Sequence, residues 1–154
     1  MPTSPEPPTL LYLMKQLELA VRARLDDLVR GDGLTALQYT ALTVLERHPD
    51  LTSAQLARRS FVTAQTMAEM VTAMAERELI DRHRDPRDRR RLVLSLTDHG
   101  RRLLARHRDD VAALEAEMLA DLSAEEAREL RRSTLRCLAA LGIPTGGAAA
   151  EGEA

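Results

Sequence analysis

The 154-residue sequence is nearly devoid of aromatic side chains: it has no tryptophan, two tyrosines (Tyr12, Tyr39) and one phenylalanine (Phe61). Its core must come from Leu, Met, Val and Ala, and few rings are available to stack on unpaired bases. The single cysteine, Cys137, excludes an intrachain disulfide and a cysteine zinc cluster. Long apolar runs are missing too, with no stretch of about 18 apolar residues. The opening Met1-Pro-Thr-Ser-Pro-Glu-Pro-Pro has no basic segment followed by an apolar one. The expectation is a cytoplasmic protein without export signal or membrane anchor. No Gly-rich phosphate loop, nucleophile elbow or paired-His metal motif is present, so no enzyme, no cofactor and no metal site is expected. His99 and His107 lie two helical turns apart and would need a third ligand such as Asp110 to chelate; both are expected on a helix surface.

What is present is 44% hydrophobic residues, rich in Ala and Leu, alongside abundant Arg and Glu. This is the composition of a mainly helical domain large enough to bury a core. The net charge of -2 neither supports nor excludes nucleic acid, so the local distribution of charge has to decide.

Leu10, Leu13, Leu17, Val21, Leu25 and Leu28 recur at spacings of three and four, one face of a long helix from Leu10 to Arg30 with Gly31 as its stop. Thr35 with Gln38 is a capping box for a second helix that ends at His48-Pro49. Thr52 with Gln55 caps a short third helix, Ser53 to Arg59. Thr63 opens a fourth, Ala64 to about Glu78, with Met67, Met70, Val71 and Met74 as its inward stripe. The period then changes. Ile80–Arg84 and Arg91–Leu96 read as two strands joined by the polar loop Asp85-Pro86-Arg87-Asp88-Arg89-Arg90. Thr97 caps a fifth helix with Leu104, Val111, Leu114 and Met118 on one face, and Ser123 with Glu126 starts a sixth that runs through Leu141.

The fold class is therefore mainly α (α+β), a winged helix-turn-helix with a helical dimerisation region formed by the N- and C-terminal helices. The expected division is a disordered segment 1–9, an N-terminal dimerisation helix 10–33, a DNA-binding domain 34–97, C-terminal dimerisation helices 98–141 and a flexible tail 142–154. The terminal helices keep apolar faces that a lone winged domain would leave exposed, which favours two-fold pairing.

The short helix, turn, second helix and hairpin between Thr52 and Leu96 carry the functional signal. Opposite its Met stripe the fourth helix presents Ala64, Gln65, Thr66, Ala68, Glu69 and Thr72. Gln can pair with adenine, and Ala or Thr methyls can touch the thymine methyl in the major groove. Taken alone, that face is equally a solvated helix surface. The hairpin tips the balance: six arginines (82, 84, 87, 89, 90, 91) against two aspartates (85, 88) give a local net +4. Arginine at a hairpin tip can enter a narrow minor groove, and its neighbours can pair with phosphates.

Leu56-Ala57, Val62-Thr63, Leu79-Ile80-Asp81-Arg82, the wing Asp85-Pro86-Arg87-Asp88-Arg89-Arg90 and Leu94-Ser95-Leu96-Thr97-Asp98-His99-Gly100 together resemble the MarR family pattern. The Asp-Pro-x-Asp-x-Arg wing followed by Leu-Thr-x-x-Gly is specific to it, and the likeness runs from about Leu10 to Gly142. The resemblance implies a homodimer whose first, fifth and sixth helices interlock, with two winged domains on a near-palindromic double-stranded DNA operator. It also implies a repressor released by a small, often phenolic or lipophilic, effector bound between the dimer helices and the winged domain. Arg90 matches the arginine placed in the minor groove, Asp88 the aspartate that orients wing arginines, and Thr63, Gln65 and Thr66 the groove-reading positions. The candidate DNA-contacting set is Thr52, Thr63, Ala64, Gln65, Thr66, Glu69, Arg84, Arg87, Asp88, Arg89 and Arg90; Tyr12, Gln16 and Tyr39 are the candidate effector contacts. Two departures stand out. Phe61 occupies a turn position that is often small or aliphatic and is expected to pack in the core, and Gln65 replaces an arginine often found there. Two rival readings remain: a winged-helix module that binds a protein, and a thiol-based redox regulator using Cys137.

Overall fold

The structure is a computed structural model, and residues 5–145 are described. Capping residues set its helix starts. Thr9 accepts the Tyr12 N–H at the head of α1 (Leu10–Val29). A 3-10 turn, Arg30–Asp32, follows and is closed by Gly33 in the left-handed region at φ 71°. The stop expected at Gly31 is thus two residues later, because Gly33 is the glycine that takes the positive φ while Gly31 lies inside the turn. Reciprocal capping boxes, Thr35 with Gln38 and Thr52 with Gln55, start α2 (Ala36–Arg47) and α3 (Ser53–Arg59). Thr63 caps α4 (Ala64–Glu76), which ends two residues before the expected Glu78 because Glu78 itself turns left-handed at φ 57°.

The chain then enters β1 (Ile80–Arg84), antiparallel to β2 (Leu92–Leu96) with Ile80 opposite Leu96 and Arg84 opposite Leu92. The second strand starts one residue later than expected: the Arg91 N–H donates at 3.0 Å to the Asp88 carbonyl and closes the loop instead. Leu51 adds a bridge to Leu94, giving the hairpin a short third rung from the α2–α3 connection. Next come α5 (Asp98–Met118) and α6 (Ala124–Ala140), the latter started by the Ser123/Glu126 box. Gly142 at φ 79° and the Ile143 N–H to the Leu138 carbonyl, 3.0 Å, close α6, so the first residues of the expected tail belong to a helix end. Residues 1–4 of the expected N-terminal segment and the tail from residue 146 lie outside the described residues; Pro5–Pro8 have no regular structure.

The chain divides into two compact units, residues up to Ala112 and residues from Ala113 on, with α5 running through the division. The core lies in the first: Leu42, Leu45, Leu56, Met67, Met74, Leu79, Ile80, Leu103 and Leu104 are fully buried. Each such side chain contributes roughly 1.5–3 kcal/mol relative to exposure. The junction of hairpin and α5 explains the Leu-Thr-x-x-Gly motif. Thr97 donates its hydroxyl to the Glu78 carbonyl (2.6 Å) and accepts the Gly100 N–H (3.0 Å), fastening the end of α4 to the start of α5. A Cβ on Gly100 would run into the Leu79 carbonyl oxygen, so the backbone approach needs glycine there.

Candidate nucleic-acid interface

With Met67, Met70, Val71 and Met74 buried, α4 turns Ala64, Gln65, Ala68, Glu69 and Thr72 to solvent, and Thr66 is half-buried. Thr63 and Thr66 are partly committed. The Thr63 hydroxyl accepts the Thr66 N–H (3.1 Å) and donates to the Thr66 hydroxyl (2.9 Å), which leaves the Thr66 proton free to point outward. Gln65 and Glu69 have no side-chain partner among the described residues. Thr52, half-buried, accepts the Gln55 N–H at 3.2 Å as the cap of α3. The glutamine of that box reaches the wing as well: Gln55 Oε1 accepts both the Thr52 N–H (2.9 Å) and the Arg91 guanidinium (3.1 Å).

The structure sorts the six arginines of the hairpin. Arg82 donates to the Thr72 hydroxyl at 3.2 Å and so lies against α4. Arg91 stands at the wing base between Gln55 and the buried Asp85, 3.8 Å from its carboxylate. Asp85 also accepts the Arg87 N–H at 2.9 Å and gives its own N–H to the Arg91 carbonyl, so this aspartate shapes the loop. Asp88 accepts both the backbone N–H and the Nε of Arg90 at 3.1 Å. The Arg90 side chain and backbone bonds, with Arg91 nearby, hold the Asp88 carboxyl below the usual carboxylate range. The Arg90 side chain is nonetheless 92% exposed, aimed by its Nε and open at its other guanidinium nitrogens. Arg84, Arg87 and Arg89 are exposed and no side-chain partner holds them among the described residues. Among the described residues one cation is thus aimed by a carboxylate and three have no side-chain partner, close in sequence to a helix face of small and amide side chains.

The candidate effector residues fall into two groups. Tyr12 and Gln16 lie one turn apart on exposed α1, the Gln16 amide donating to the Tyr12 hydroxyl at 3.0 Å. Tyr39 is buried and packs edge-on against His107, ring centroids 6.3 Å apart; burial is the main cause raising its pKa, with Glu46 adding and Arg108 opposing. The structure brings the first two together and gives Tyr39 another partner.

Two expectations are corrected. His107 is not on the helix surface: it is 8% exposed and its Nε2 meets Asp32 at 2.6 Å, while its Nδ1 is buried without a partner. Arg106 bonds the same carboxylate at 3.0 Å, and Arg77 reaches the Asp32 and Gly33 carbonyls, so Asp32 ties α5 and α4 to the turn after α1. The signal was in the sequence, since His107 falls three after Leu104 and four before Val111 on one helical stripe. Phe61 does not pack in the core either. It is 67% exposed with φ 58°, because Ser60 and Val62 on either side are pinned by N–H bonds to Leu56 and Ala57 carbonyls.

Residues 32–91 match the model of the MarR family. The chain is 31% identical over 121 residues to the HTH-type transcriptional repressor Rv2887 of Mycobacterium tuberculosis, covering 79% of this chain and 87% of that protein. Among solved structures, the Rv2887 complex with salicylic acid is similar with a TM-score of 0.70 at 30% identity, over 86% of this chain and 98% of that one. The transcriptional repressor CouR bound to a 23-mer DNA duplex is similar with a TM-score of 0.70 at 30% identity, over 85% and 92%. The PcaV transcriptional regulator of Streptomyces coelicolor with its natural ligand gives 0.73 at 29%, over 92% and 99%.

Proposed function

The chain belongs to the MarR family, and from that premise we propose that it binds a near-palindromic duplex operator as a homodimer and releases it when a small molecule binds. It is a transcriptional regulator of the winged helix-turn-helix class and not an enzyme. In the proposed complex residues 34–97 form the DNA-binding domain. The first turn of α4, with Thr63, Ala64, Gln65, Thr66 and Glu69, lies in the major groove, with Thr52 beside it. Arg90, aimed by Asp88, enters the minor groove, and Arg84, Arg87 and Arg89 meet phosphates. The observation that carries this reading is the set of exposed arginines, Arg84, Arg87 and Arg89, left without acidic partners among the described residues in a chain whose total charge is negative.

Residues 10–33 and 98–141 are proposed to form the dimer. Leu10, Leu11, Leu13, Met14, Leu17 and Leu19 on α1 are all exposed in the single chain, and α6 buries no residue. Covering such faces with a second copy removes an apolar surface that a soluble monomer would not keep. The effector is proposed to be a small aromatic or lipophilic molecule contacting Tyr12, Gln16 and Tyr39, a class that includes the salicylic acid of the Rv2887 complex. No described helix is long and apolar enough to cross a membrane, and a cytoplasmic site of action goes with an operator on DNA.

Fluorescence anisotropy of the protein on DNA from upstream of its own gene, against scrambled duplex at two salt concentrations, tests the reading. Salt-sensitive binding that favours the upstream duplex is the expected result. No binding to either duplex at low salt would refute it and favour a protein-binding module.

A further inference from the structure

We infer that Phe61 is a specificity-determining residue of this surface, its ring packing on a thymine C5-methyl group at the edge of each half-site; the inference rests on the DNA-binding reading above. Phe61 is the only phenylalanine in the chain and is 67% exposed. Its backbone is left-handed at φ 58°, a conformation in which a Cβ is crowded and a bulky residue is an outlier. Glycine at this turn would remove the crowding and the exposed ring together, so the local structure gains nothing from phenylalanine. The turn also holds the ring outward. Ser60 is buried and bonded to the Leu56 and Ala57 carbonyls, and Val62 bonds Ala57 at 3.2 Å and packs on the core. Outliers of this kind concentrate at functional sites.

Position and chemistry say what the ring would meet. Phe61 stands two residues before Thr63, the cap of the helix whose first turn is proposed to enter the major groove. A phenyl ring neither donates nor accepts a hydrogen bond, and the one apolar group that base edges display in the major groove is the thymine methyl. The surroundings suit DNA rather than an apolar protein partner. Arg58 and Arg59 end α3 just before it, and the other exposed large apolar side chains of this unit lie on α1 or at Leu92. Among the described residues none of these exposed apolar side chains neighbours Phe61 in the chain, whereas a protein hot spot is built from clustered anchors.

The test selects binding duplexes from a random double-stranded DNA pool with the wild-type chain, with Phe61→Gly and with Phe61→Leu. Thermal melting of each confirms that it is folded; Phe61→Gly is expected to melt no lower than wild type. The wild type should select a motif with a thymine at one edge position of each half-site. Phe61→Gly should keep the rest of the motif, lose that thymine and bind the wild-type sequence about tenfold more weakly. Phe61→Leu should keep the preference in weaker form. Replacing the edge thymine by uracil removes only the methyl group. It should weaken the wild type about fourfold, the effect of one buried methyl, and leave Phe61→Gly unchanged. An identical motif and affinity for wild type and Phe61→Gly, or an equal uracil effect on both, would overturn the inference while leaving the DNA reading intact. A wild-type chain that selects no motif would instead overturn the DNA reading and this inference with it.

Discussion

The apolar stripes of α4 and α1 look alike in the sequence and end differently in the structure. Met67, Met70, Val71 and Met74 of α4 are buried by the same chain, whereas Leu10, Leu13 and Leu17 of α1 remain exposed. In the second unit no residue of α6 is fully buried. Periodicity states that a helix face needs covering and is silent on what covers it. In the winged domain the cover is local, as it is for Leu28 and Val29 at the end of α1; for the exposed start of α1 and for α6 the proposed cover is a second copy. Stability in the first region should therefore respond to packing inside the chain, and in the second to association.

The contrast is tested most severely at Gly100. Gly100→Ala places a Cβ against the Leu79 carbonyl, an atom that cannot move without shifting the strand start. A loss of about 3 kcal/mol in denaturant unfolding is expected; a loss below 1 kcal/mol would show that the hairpin junction is loosely held. On the other side of the comparison, Leu13→Glu with Leu17→Glu changes two exposed side chains of α1. The secondary structure should persist while the dimer dissociation constant rises by about 100-fold, roughly 2.7 kcal/mol, measured by sedimentation equilibrium. A dimer of unchanged mass across the dilution series would contradict the assignment of that face.

Asp32→Ala comes next. It removes the partner of the buried His107 and of Arg106, and a cost of about 2 kcal/mol is expected for the unpaired group. Chemical denaturation at neutral pH measures it, and stability equal to wild type would mean the network is decorative. The smallest effect concerns His48, whose pKa is lowered by burial first, then by Arg59 and Arg47. A histidine with a lowered folded pKa contributes stability above its unfolded value of about 6.5 and loses it as the pH falls through the folded pKa. Part of the acid loss of stability just below pH 6.5 should therefore vanish in His48→Gln, and identical pH profiles would contradict the assignment.

The parts of the fold that depend on short-range chemistry are legible in the sequence alone. Thr35/Gln38, Thr52/Gln55 and Ser123/Glu126 form the capping boxes expected of them, because a capping box needs only residues three apart. The hairpin was legible for the same reason. The residues that sequence reasoning misplaces depend on a distant partner or on a backbone angle that no residue type announces. His107 reads as a surface residue because a histidine on a helix is solvated unless a partner holds it, and its partner Asp32 lies 75 positions away. Phe61 reads as a core residue because an aromatic ring usually is one, and nothing in the letters shows a positive φ. Gly31 reads as the helix stop because it follows the last apolar positions directly, and the 3-10 turn Arg30–Asp32 moves the left-handed residue on to Gly33. In the candidate interface the residue types were legible, while the allocation of Arg82 to Thr72, Arg91 to Gln55 and Arg90 to Asp88 required the fold.

Whether the exposed arginines of the wing carry DNA is decided by the salt dependence of binding in the triple variant Arg84→Ala, Arg87→Ala, Arg89→Ala. The logarithm of the binding constant falls linearly with the logarithm of salt, with a slope of roughly -0.9 per phosphate neutralised. A slope shallower by about 5 is expected for the variant dimer, three arginines on each of two wings, with melting temperature and dimer mass unchanged. The same slope and affinity as wild type would contradict it and move the DNA contact away from the wing.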